Sequence, residues 1–244
     1  MDNFLSQGIF FLFSFLMIIP ALTMHEWAHA WMANRLGDST ARMLGRMSID
    51  PLRHIDLLGT VLVPIVLLVL SQGQFTFGWA KPVPFNPRNL KNPQRDTALV
   101  GIAGPVMNII LALGSGIVLL MFVLLVPEFI FNFSTQTGHI TSLTIFGRVV
   151  GFFCYINLVL CFFNLLPIPP FDGSRIIQKF LRGTVRDIYH QIEPYGMWIV
   201  LGLVWVLPML TGFNVIGMYF SVTAWPVFEF LTRIPVGLLF TPLF

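Results

Sequence analysis

The chain has 244 residues, of which 56% are hydrophobic and only 10% are charged, and its net charge is +3. Soluble domains carry about 25% charged residues, so a water-soluble fold of this size could not cover its surface. The apolar residues occur in runs of about twenty, the length that crosses about 30 Å of hydrocarbon as a helix. The composition therefore excludes an ordinary soluble domain and indicates a multi-pass membrane protein. The small positive charge lies in loops beside the apolar runs and does not indicate nucleic-acid binding.

The first half of the chain alternates apolar runs with polar loops. The charge-free run at 4–24 predicts a retained membrane span, because it lacks the basic segment and the small-residue cleavage site of a signal peptide. Residues 57–70 are apolar but too few for a full crossing. Residues 75–86 alternate apolar with polar positions and then contain prolines, which predicts an extended edge strand. Another long span is predicted at 97–126.

The second half contains three further predicted spans. The span at 142–166 ends in the run Pro167-Ile-Pro-Pro170, which prevents its helix from continuing regularly. The last two spans, at 191–210 and 214–231, are separated by a tight turn. The pattern predicts an all-α polytopic membrane protein with five full transmembrane helices, one short or re-entrant helix and an extended edge-strand segment.

The segment His25-Glu26-Trp27-Ala28-His29 is an H-E-x-x-H motif. On a helix, residues four apart lie on one face, so the imidazoles of His25 and His29 can bind one zinc ion. Glu26 lies beside that face, where it can accept a proton from zinc-bound water. Ionisable residues at the end of a membrane span are costly, which favours a functional site over the alternative of an interfacial helix end.

A zinc ion held by two histidines needs a third protein ligand and an open position for water. Asp172 is the best candidate, because it follows a membrane span directly and lies in irregular backbone, which is tolerated at membrane depth only where it is buried or lines a wet cavity. The remaining histidines, His54, His139 and His190, lie in polar loops, and the loop of His139 is expected on the opposite side.

Three ordered motifs together resemble those of the site-2 proteases, a family of zinc metalloproteases that cut transmembrane substrates within the membrane. The motifs are His25-Glu-x-x-His29, Ala103-Gly-Pro-Val-Met-Asn108 and Asn164-x-x-Pro-x-Pro-x-x-Asp172-Gly173. The resemblance, over about residues 20–175, implies that His25, His29 and Asp172 bind zinc and that Glu26 is the catalytic base.

The resemblance also places Asn164 and Asn108 near the substrate backbone or the oxyanion. Two alternatives remain open: Asn164 can be a helix-end hydrogen bonder, and Asn108 can be a polar contact between helices. Many family members carry a PDZ domain or a nucleotide-sensing domain, but the loop at 127–141 is too short for the first and nothing after Arg233 resembles the second.

We therefore expect a single integral-membrane metalloprotease domain over 1–244, with a catalytic core at about 4–175 and an accessory transmembrane hairpin at about 191–232. The resemblance implies a zinc-dependent endopeptidase that cleaves transmembrane segments with zinc-activated water, as in regulated intramembrane proteolysis. The expected partners are a transmembrane-helix protein substrate and the lipid bilayer, without nucleic acid. The sequence names no regulatory partner.

A shared zinc ion constrains the topology, because its ligands must lie on the same side of the membrane. The spans at 97–126 and 142–166 cross the membrane in opposite directions and return the chain to the same side. Residues 57–70 must therefore be interfacial or re-entrant rather than a net crossing. The loop at 127–141 has no Lys or Arg, whereas the loops at 37–56, 71–95 and 167–190 contain basic residues. This predicts an external N-terminus and an active site nearer the cytoplasmic face of the cell membrane.

A helical substrate must unwind locally before water can reach a peptide bond, and its exposed amides then need new partners. We hypothesise that residues 75–84 supply them by β-augmentation, with Gly78 and Trp79 contacting the substrate and Gly78 permitting close backbone approach. The alternative is a loop that packs over the site.

Three other functions fit parts of the sequence. A metal-ion transporter would place ionisable residues through the full membrane depth, but 97–126 and 198–210 carry none. A catalytically inactive membrane scaffold would not need Glu26. A protease of prenylated proteins would take a distant glutamate as third ligand, for which Glu193 is the candidate, but the Asp172 motif fits better.

Overall fold

The computed structural model describes residues 2–70, 78–126 and 142–235, with side chains described from residue 13 in the first range and from residue 145 in the third. All regular secondary structure within these ranges is helical, which confirms the all-α prediction. The predicted edge strand is not seen. Residues 75–77 lie outside the described residues, and 78–86 form non-helical chain without a partner strand.

The helices differ widely in length. In chain order they are α1 (Asp2–Arg35), α2 (Thr40–Met43), α3 (Val63–Leu70), α4 (Pro93–Leu125), α5 (Ser142–Asn164), α6 (Asp172–Gln178), α7 (Gly183–Ile192), α8 (Gly196–Leu201), α9 (Leu207–Thr211), α10 (Val215–Val222) and α11 (Ala224–Thr232). Short 3-10 turns occupy Pro51–Arg53, Pro87–Asn89 and Glu193–Tyr195, and π-helical turns occupy Leu57–Leu62 and Gly202–Val206.

Four helical segments of the described residues are long and apolar enough to cross a membrane: Pro93–Leu125, Ile145–Asn164, Gly183–Thr211 and Val215–Thr232. Leu57–Leu70 is apolar but shorter, as the sequence predicts. The predicted first span, at 4–24, lies partly outside the described side chains. The chain is therefore an all-helical, multi-pass membrane protein.

One predicted boundary is wrong. The helical segment expected to begin at 191 begins at Gly183, because α7 continues through the 3-10 turn at Glu193–Tyr195 into α8. Residues 183–192 are amphipathic rather than uniformly apolar, so hydropathy does not reveal them as part of the same helical segment.

The chain forms two compact units, and the first comprises 1–21, 108–162 and 217–244. Its apolar core includes the fully buried side chains of Leu119 on α4, Leu158 on α5 and Phe228 on α11. Burying large apolar side chains away from lipid gains mainly close packing, since lipid tails are themselves apolar.

The second unit comprises 22–107 and 163–216, and it holds every zinc-site residue predicted from the sequence. The fully buried carboxylate of Asp38 accepts hydrogen bonds from the backbone N–H and hydroxyl of Thr40, from the Asn86 N–H at 2.6 Å and from the Asn89 side-chain amide at 2.8 Å. Asp38 thereby fixes the chain after α1 against the loop that precedes α4.

Residues 79–83, here called the tether segment, run through this unit as non-helical chain. The Trp79 N–H donates to the Gly59 carbonyl at 3.0 Å, and the Lys81 N–H donates to the His54 carbonyl at 2.9 Å. Its amides therefore bond to loop carbonyls and to a side chain described below, rather than to a second strand, which explains why no sheet is present among the described residues.

The turn between α5 and α6 reverses the chain before Asp172. Phe171 N–H donates to the Ile168 carbonyl at 3.0 Å, and a β-carbon at Gly173 would collide with the carbonyl oxygens of Leu165 and Leu166. Glycine is therefore required here, and its lack of a side chain lets the backbone fold back so that Asp172 becomes the first residue of α6.

Candidate metal centre

His25 and His29 lie one turn apart on α1, and both side chains are buried. Their rings meet edge to face, with centroids 4.6 Å apart, and their Nε2 atoms are 3.0 Å apart. The i, i+4 spacing of the motif therefore gives two imidazoles that converge on one point, as helical geometry requires.

The carboxylate of Asp172 reaches the same point from the N-terminus of α6. Its Oδ2 atom lies 3.1 Å from Nε2 of His25 and 3.1 Å from Nε2 of His29. Among the described residues, these three form the one group of His, Cys, Asp and Glu side chains whose ligand atoms are close enough to hold a metal ion. The structure thus brings together the three residues that the sequence predicts as zinc ligands.

The hydrogen bonding of His29 supports metal binding by this group. Its Nδ1 atom lies 2.7 Å from the Val100 backbone carbonyl, which can only accept, so Nδ1 carries a proton and, in the neutral imidazole, Nε2 has the lone pair that a metal ion needs. Tetrahedral zinc ligands at about 2.0–2.1 Å from the ion lie about 3.3 Å from one another. The observed separations of 3.0–3.1 Å need to widen by only a few tenths of an ångström.

Gly104 of α4 leaves room for the group. A β-carbon at this position would lie 2.5 Å from Nε2 of His25 and would also collide with Nε2 of His29. Because both nitrogens are predicted ligand atoms, the missing side chain avoids a collision at the point where a metal ion would bind. This gives a physical role to a glycine that the sequence marks only as part of a motif.

The second carboxylate oxygen of Asp172 has a different partner. Its Oδ1 atom lies 3.4 Å from Nη1 of Arg175, one turn further along α6, while Oδ2 faces the histidines. The Arg175 guanidinium also lies 5.1 Å from the centre of the Phe85 ring. Arg175 therefore orients the carboxylate from outside the metal group, in the manner of outer-shell partners of metal ligands.

Glu26 does not belong to the three-residue group. Its side chain is partly buried, and its Oε2 atom accepts a hydrogen bond of 2.9 Å from the backbone N–H of Val83 in the tether segment. The carboxylate that the sequence predicts as the catalytic base is therefore held by the backbone of another loop. Carboxylate–amide bonds of this kind are stronger than bonds between neutral groups.

The predicted substrate-binding asparagines lie in different settings. Asn108 is fully buried, and its side-chain amide donates to Oδ1 of Asn157 on α5 at 2.9 Å. This contact favours the interhelical alternative for Asn108. Asn164 is the last residue of α5 and is partly buried.

Gly78 and Trp79 pack against the short apolar segment. A β-carbon at Gly78 would lie 2.6 Å from the Gly59 carbonyl oxygen and 2.7 Å from Cγ of Pro64, and a β-carbon at Gly59 would collide with the Trp79 indole. The close approach that Gly78 permits is therefore to the chain's own 59–64 segment. A contact between these residues and substrate stays a prediction.

The other ionisable candidates are engaged elsewhere. His54 is buried, and its Nε2 lies 2.7 Å from the Ser48 carbonyl. His190 pairs with Glu193 at 3.2 Å on an exposed surface, so Glu193 is not positioned with the histidines of α1 in the described structure. His139 lies outside the described residues.

A buried His–His–Asp group beside a glutamate, within an apolar all-helical chain, defines the class of membrane-embedded metal-dependent hydrolases. The family model described as peptidase family M50 matches residues 11–207. The chain belongs to peptidase family M50, the site-2 protease family.

Curated relatives agree with this assignment. The chain is 39% identical over 210 residues to "Putative zinc metalloprotease YwhC" of Bacillus subtilis, covering 86% of this chain and 87% of the relative. It is 25% identical over 215 residues to a protein of the same description named Rip2 from Mycobacterium tuberculosis, covering 86% and 73%. The Rip2 of Mycolicibacterium smegmatis is 24% identical over 185 residues, covering 76% and 63%. No solved structure matches the chain.

Proposed function

We propose that the protein is a zinc-dependent intramembrane endopeptidase that cleaves transmembrane segments of membrane proteins. Its membership of peptidase family M50 and the names of its relatives support the protease class and the metal. The observation that carries the proposal is the convergence of His25, His29 and Asp172 on one point, with ligand atoms 3.0–3.1 Å apart. These three residues would hold the ion.

A zinc ion at this position would supply Lewis acidity, which polarises a scissile carbonyl and makes a nearby water more acidic. Glu26 accepts the proton of the attacking water and then donates it to the leaving amine. Val83 N–H holds one oxygen of this carboxylate, which leaves the other available for the proton. Asn164, at the end of α5, is proposed to contact the substrate backbone.

The tether segment is proposed to pair with the unwound substrate. In an extended chain, the polar groups of successive residues point to opposite sides. The amides of Trp79, Lys81 and Val83 bond within the protein, whereas no hydrogen bond of Ala80 is seen among the described residues, so we infer that the Ala80 N–H and carbonyl are the groups offered to the substrate. Pro82 and Pro84 carry no N–H, which is typical of an edge segment that pairs with a single short strand.

For topology, we propose five crossings and a re-entrant or interfacial segment at 57–70. The basic loops would face the cytoplasm, and the loop at 127–141, which has no Lys or Arg, would face the outside of the cell membrane. The active site would then lie nearer the cytoplasmic face, where His25 at the end of the first span and Asp172 after α5 meet.

The test is the Glu26→Gln variant of the purified full chain, with metal analysis and cleavage of a model transmembrane peptide in detergent. We expect the variant to retain zinc and to lose turnover by about 100- to 10,000-fold, because the amide cannot accept the proton. Glu193→Gln, at an exposed position, is the matched control and should cleave normally. Wild-type protein that binds no zinc, or a Glu26→Gln variant that cleaves normally, would refute the proposal.

A further inference from the structure

Arg46 is a buried arginine that the catalytic proposal does not use. It lies in the loop after α2, is only 9% exposed, and its Nη2 atom donates to the Lys81 carbonyl at 2.7 Å and more weakly to the Pro82 carbonyl at 3.5 Å. Its Nε atom is buried without a partner among the described residues. Burying a guanidinium costs free energy, so its position needs a compensating role.

The two carbonyls that Arg46 holds immediately precede the amide that holds Glu26. Val83 N–H donates to Oε2 of Glu26 at 2.9 Å, and Lys81 and Pro82 are the two residues before Val83. Because peptide groups are planar, fixing the 81 and 82 carbonyls leaves the Val83 N–H little freedom of direction.

The charges of the two side chains are also coupled. Burial lowers the pKa of the Arg46 guanidinium below its ordinary value, while attraction to the Glu26 carboxylate acts in the opposite direction.

We propose that Arg46 is a positioning residue: it clamps the backbone of the tether segment so that the Val83 N–H holds the Glu26 carboxylate in one orientation. This inference rests on the proposed role of Glu26 as the proton acceptor. A free glutamate samples many rotamers, and a displacement of about 1 Å in a catalytic group can cost about 100-fold in rate.

The tether segment has attachments that do not involve Arg46. Trp79 and Lys81 donate to the carbonyls of Gly59 and His54, and neither bond involves the guanidinium. Loss of Arg46 should therefore loosen residues 81–83 without detaching the segment. The effect falls on the orientation of Glu26 rather than on the metal group.

The first test compares Arg46→Gln and Arg46→Lys with Arg53→Gln. Arg53 lies in the same loop, is exposed, and donates to the Gly45 carbonyl at 2.7 Å instead of to the tether segment. For Arg46→Gln we expect kcat on a transmembrane peptide to fall by about 10- to 100-fold, with KM within about twofold and zinc content unchanged. Arg46→Lys should recover part of kcat because it retains a charged donor, and Arg53→Gln should resemble wild type.

A second measurement does not depend on activity. Hydrogen exchange of the Val83 amide, followed in ¹⁵N-valine-labelled protein, should be faster in Arg46→Gln than in Arg53→Gln, because the Val83–Glu26 bond opens more often. Unchanged exchange at Val83 in Arg46→Gln would overturn the inference, even if kcat fell.

A third test removes the Val83 N–H, the donor to Glu26, and leaves Arg46 in place. It keeps the inference testable if the Arg46 variants do not fold. Val83→Pro deletes the N–H, whereas Val83→Ala retains it although it shortens the buried side chain. We expect Val83→Pro to lose kcat as Arg46→Gln does and Val83→Ala to retain most of it. Equal activity of the two valine variants would overturn the inference.

The outcomes separate this inference from the proposed function. If Glu26→Gln cleaves normally, the catalytic proposal fails whatever the Arg46 variants do. If Glu26→Gln is inactive but Arg46→Gln matches Arg53→Gln in kcat, only the positioning role fails. A zinc deficit in Arg46→Gln, or a change confined to KM with kcat unchanged, would also overturn it, because neither result reflects a misoriented Glu26 carboxylate.

Discussion

The Nε2 atom of His25 lies 3.1 Å from Oδ2 of Asp172, although 147 positions separate the two residues. The orientation of each of these two side chains is set by the local structure around it. Helical spacing sets the imidazole direction on α1, and the turn closed by Gly173 sets the carboxylate at the start of α6. α4 approaches both imidazoles closely at Gly104, where a β-carbon would collide with their Nε2 atoms, and this suggests the first prediction.

Gly104→Ala should abolish zinc binding while leaving the fold intact. The added β-carbon would lie 2.5 Å from Nε2 of His25, so the imidazoles or α4 must shift. We expect zinc affinity to fall by more than about 100-fold, beyond the loss typical of outer-shell changes. The measurement is competitive zinc titration of the purified protein.

Gly114→Ala is the matched control, because it lies on the same helix and a β-carbon there meets no atom of another described segment within 4 Å. It should bind zinc like wild type. Equal zinc affinity in Gly104→Ala and Gly114→Ala would contradict the assigned role of Gly104.

Arg175→Gln should weaken zinc binding without eliminating it. The guanidinium is the partner of Oδ1 of Asp172 at 3.4 Å, and its loss lets the carboxylate rotate away from the histidines. Outer-shell substitutions typically cost about 10- to 100-fold in metal affinity, and we expect about tenfold because Arg175 is partly exposed.

The matched control for Arg175 is Lys179→Gln, one turn further on, where the ammonium lies over the Phe180 ring rather than near Asp172. Zinc titration of both variants decides the question. The prediction fails if the two variants bind zinc equally well.

The sequence is informative where structure is local. The i, i+4 histidines and the proline-rich turn before Asp172 act through helix period and backbone restriction, so both can be predicted from neighbouring residues. The all-α fold and the family follow from the apolar runs and the ordered motifs, and both are confirmed.

Long-range packing explains what the sequence did not reveal. Arg46 is one of several loop arginines in the sequence, and only the tertiary fold buries it against the tether segment. The alternation at 75–86 predicts extended chain, but its amides bond to loop carbonyls and to Glu26, so no strand results in the part that is described. The roles of the individual site residues stay predictions.

Asn108 and Asn157 should contribute to stability as a coupled pair. Both are fully buried, and they form a 2.9 Å hydrogen bond between α4 and α5. Polar contacts between membrane helices average about 0.6 kcal/mol and reach about 1.7 kcal/mol in double-mutant cycles. We expect a coupling free energy in this range from unfolding of Asn108→Ala, Asn157→Ala and the double variant.

Cleavage assays on the same variants distinguish the two roles open for Asn108. A role confined to helix packing predicts similar kcat/KM for Asn108→Ala and Asn157→Ala. If Asn108→Ala alone loses cleavage and the cycle shows no coupling, Asn108 contacts the substrate instead.

Asp38 should make the stability of the second unit depend on pH. Burial alone would raise its pKa, but the hydrogen bonds from Thr40, Asn89 and Asn86 more than offset burial, so the pKa lies below the ordinary value of 3.8. A carboxyl whose pKa is lower in the folded than in the unfolded state stabilises the fold above its unfolded pKa. That contribution is lost as the pH falls through the folded pKa, below about 4.

The Asp38→Asn variant isolates this contribution. At pH 7 we expect it to be less stable than wild type by about 2 kcal/mol, since hydrogen bonds to a charged acceptor contribute about 1.5–3 kcal/mol. The difference in unfolding free energy between wild type and Asp38→Asn should shrink as the pH is lowered from 5 to 3. At low pH the Asp38 carboxylate of wild type becomes protonated, so wild type also lacks the negative charge that the variant lacks. Thermal unfolding in detergent at each pH measures it, with Asp187→Asn, at an exposed position, as the control. A gap between wild type and Asp38→Asn that is constant over this range would show that the buried carboxylate does not confer the expected stability.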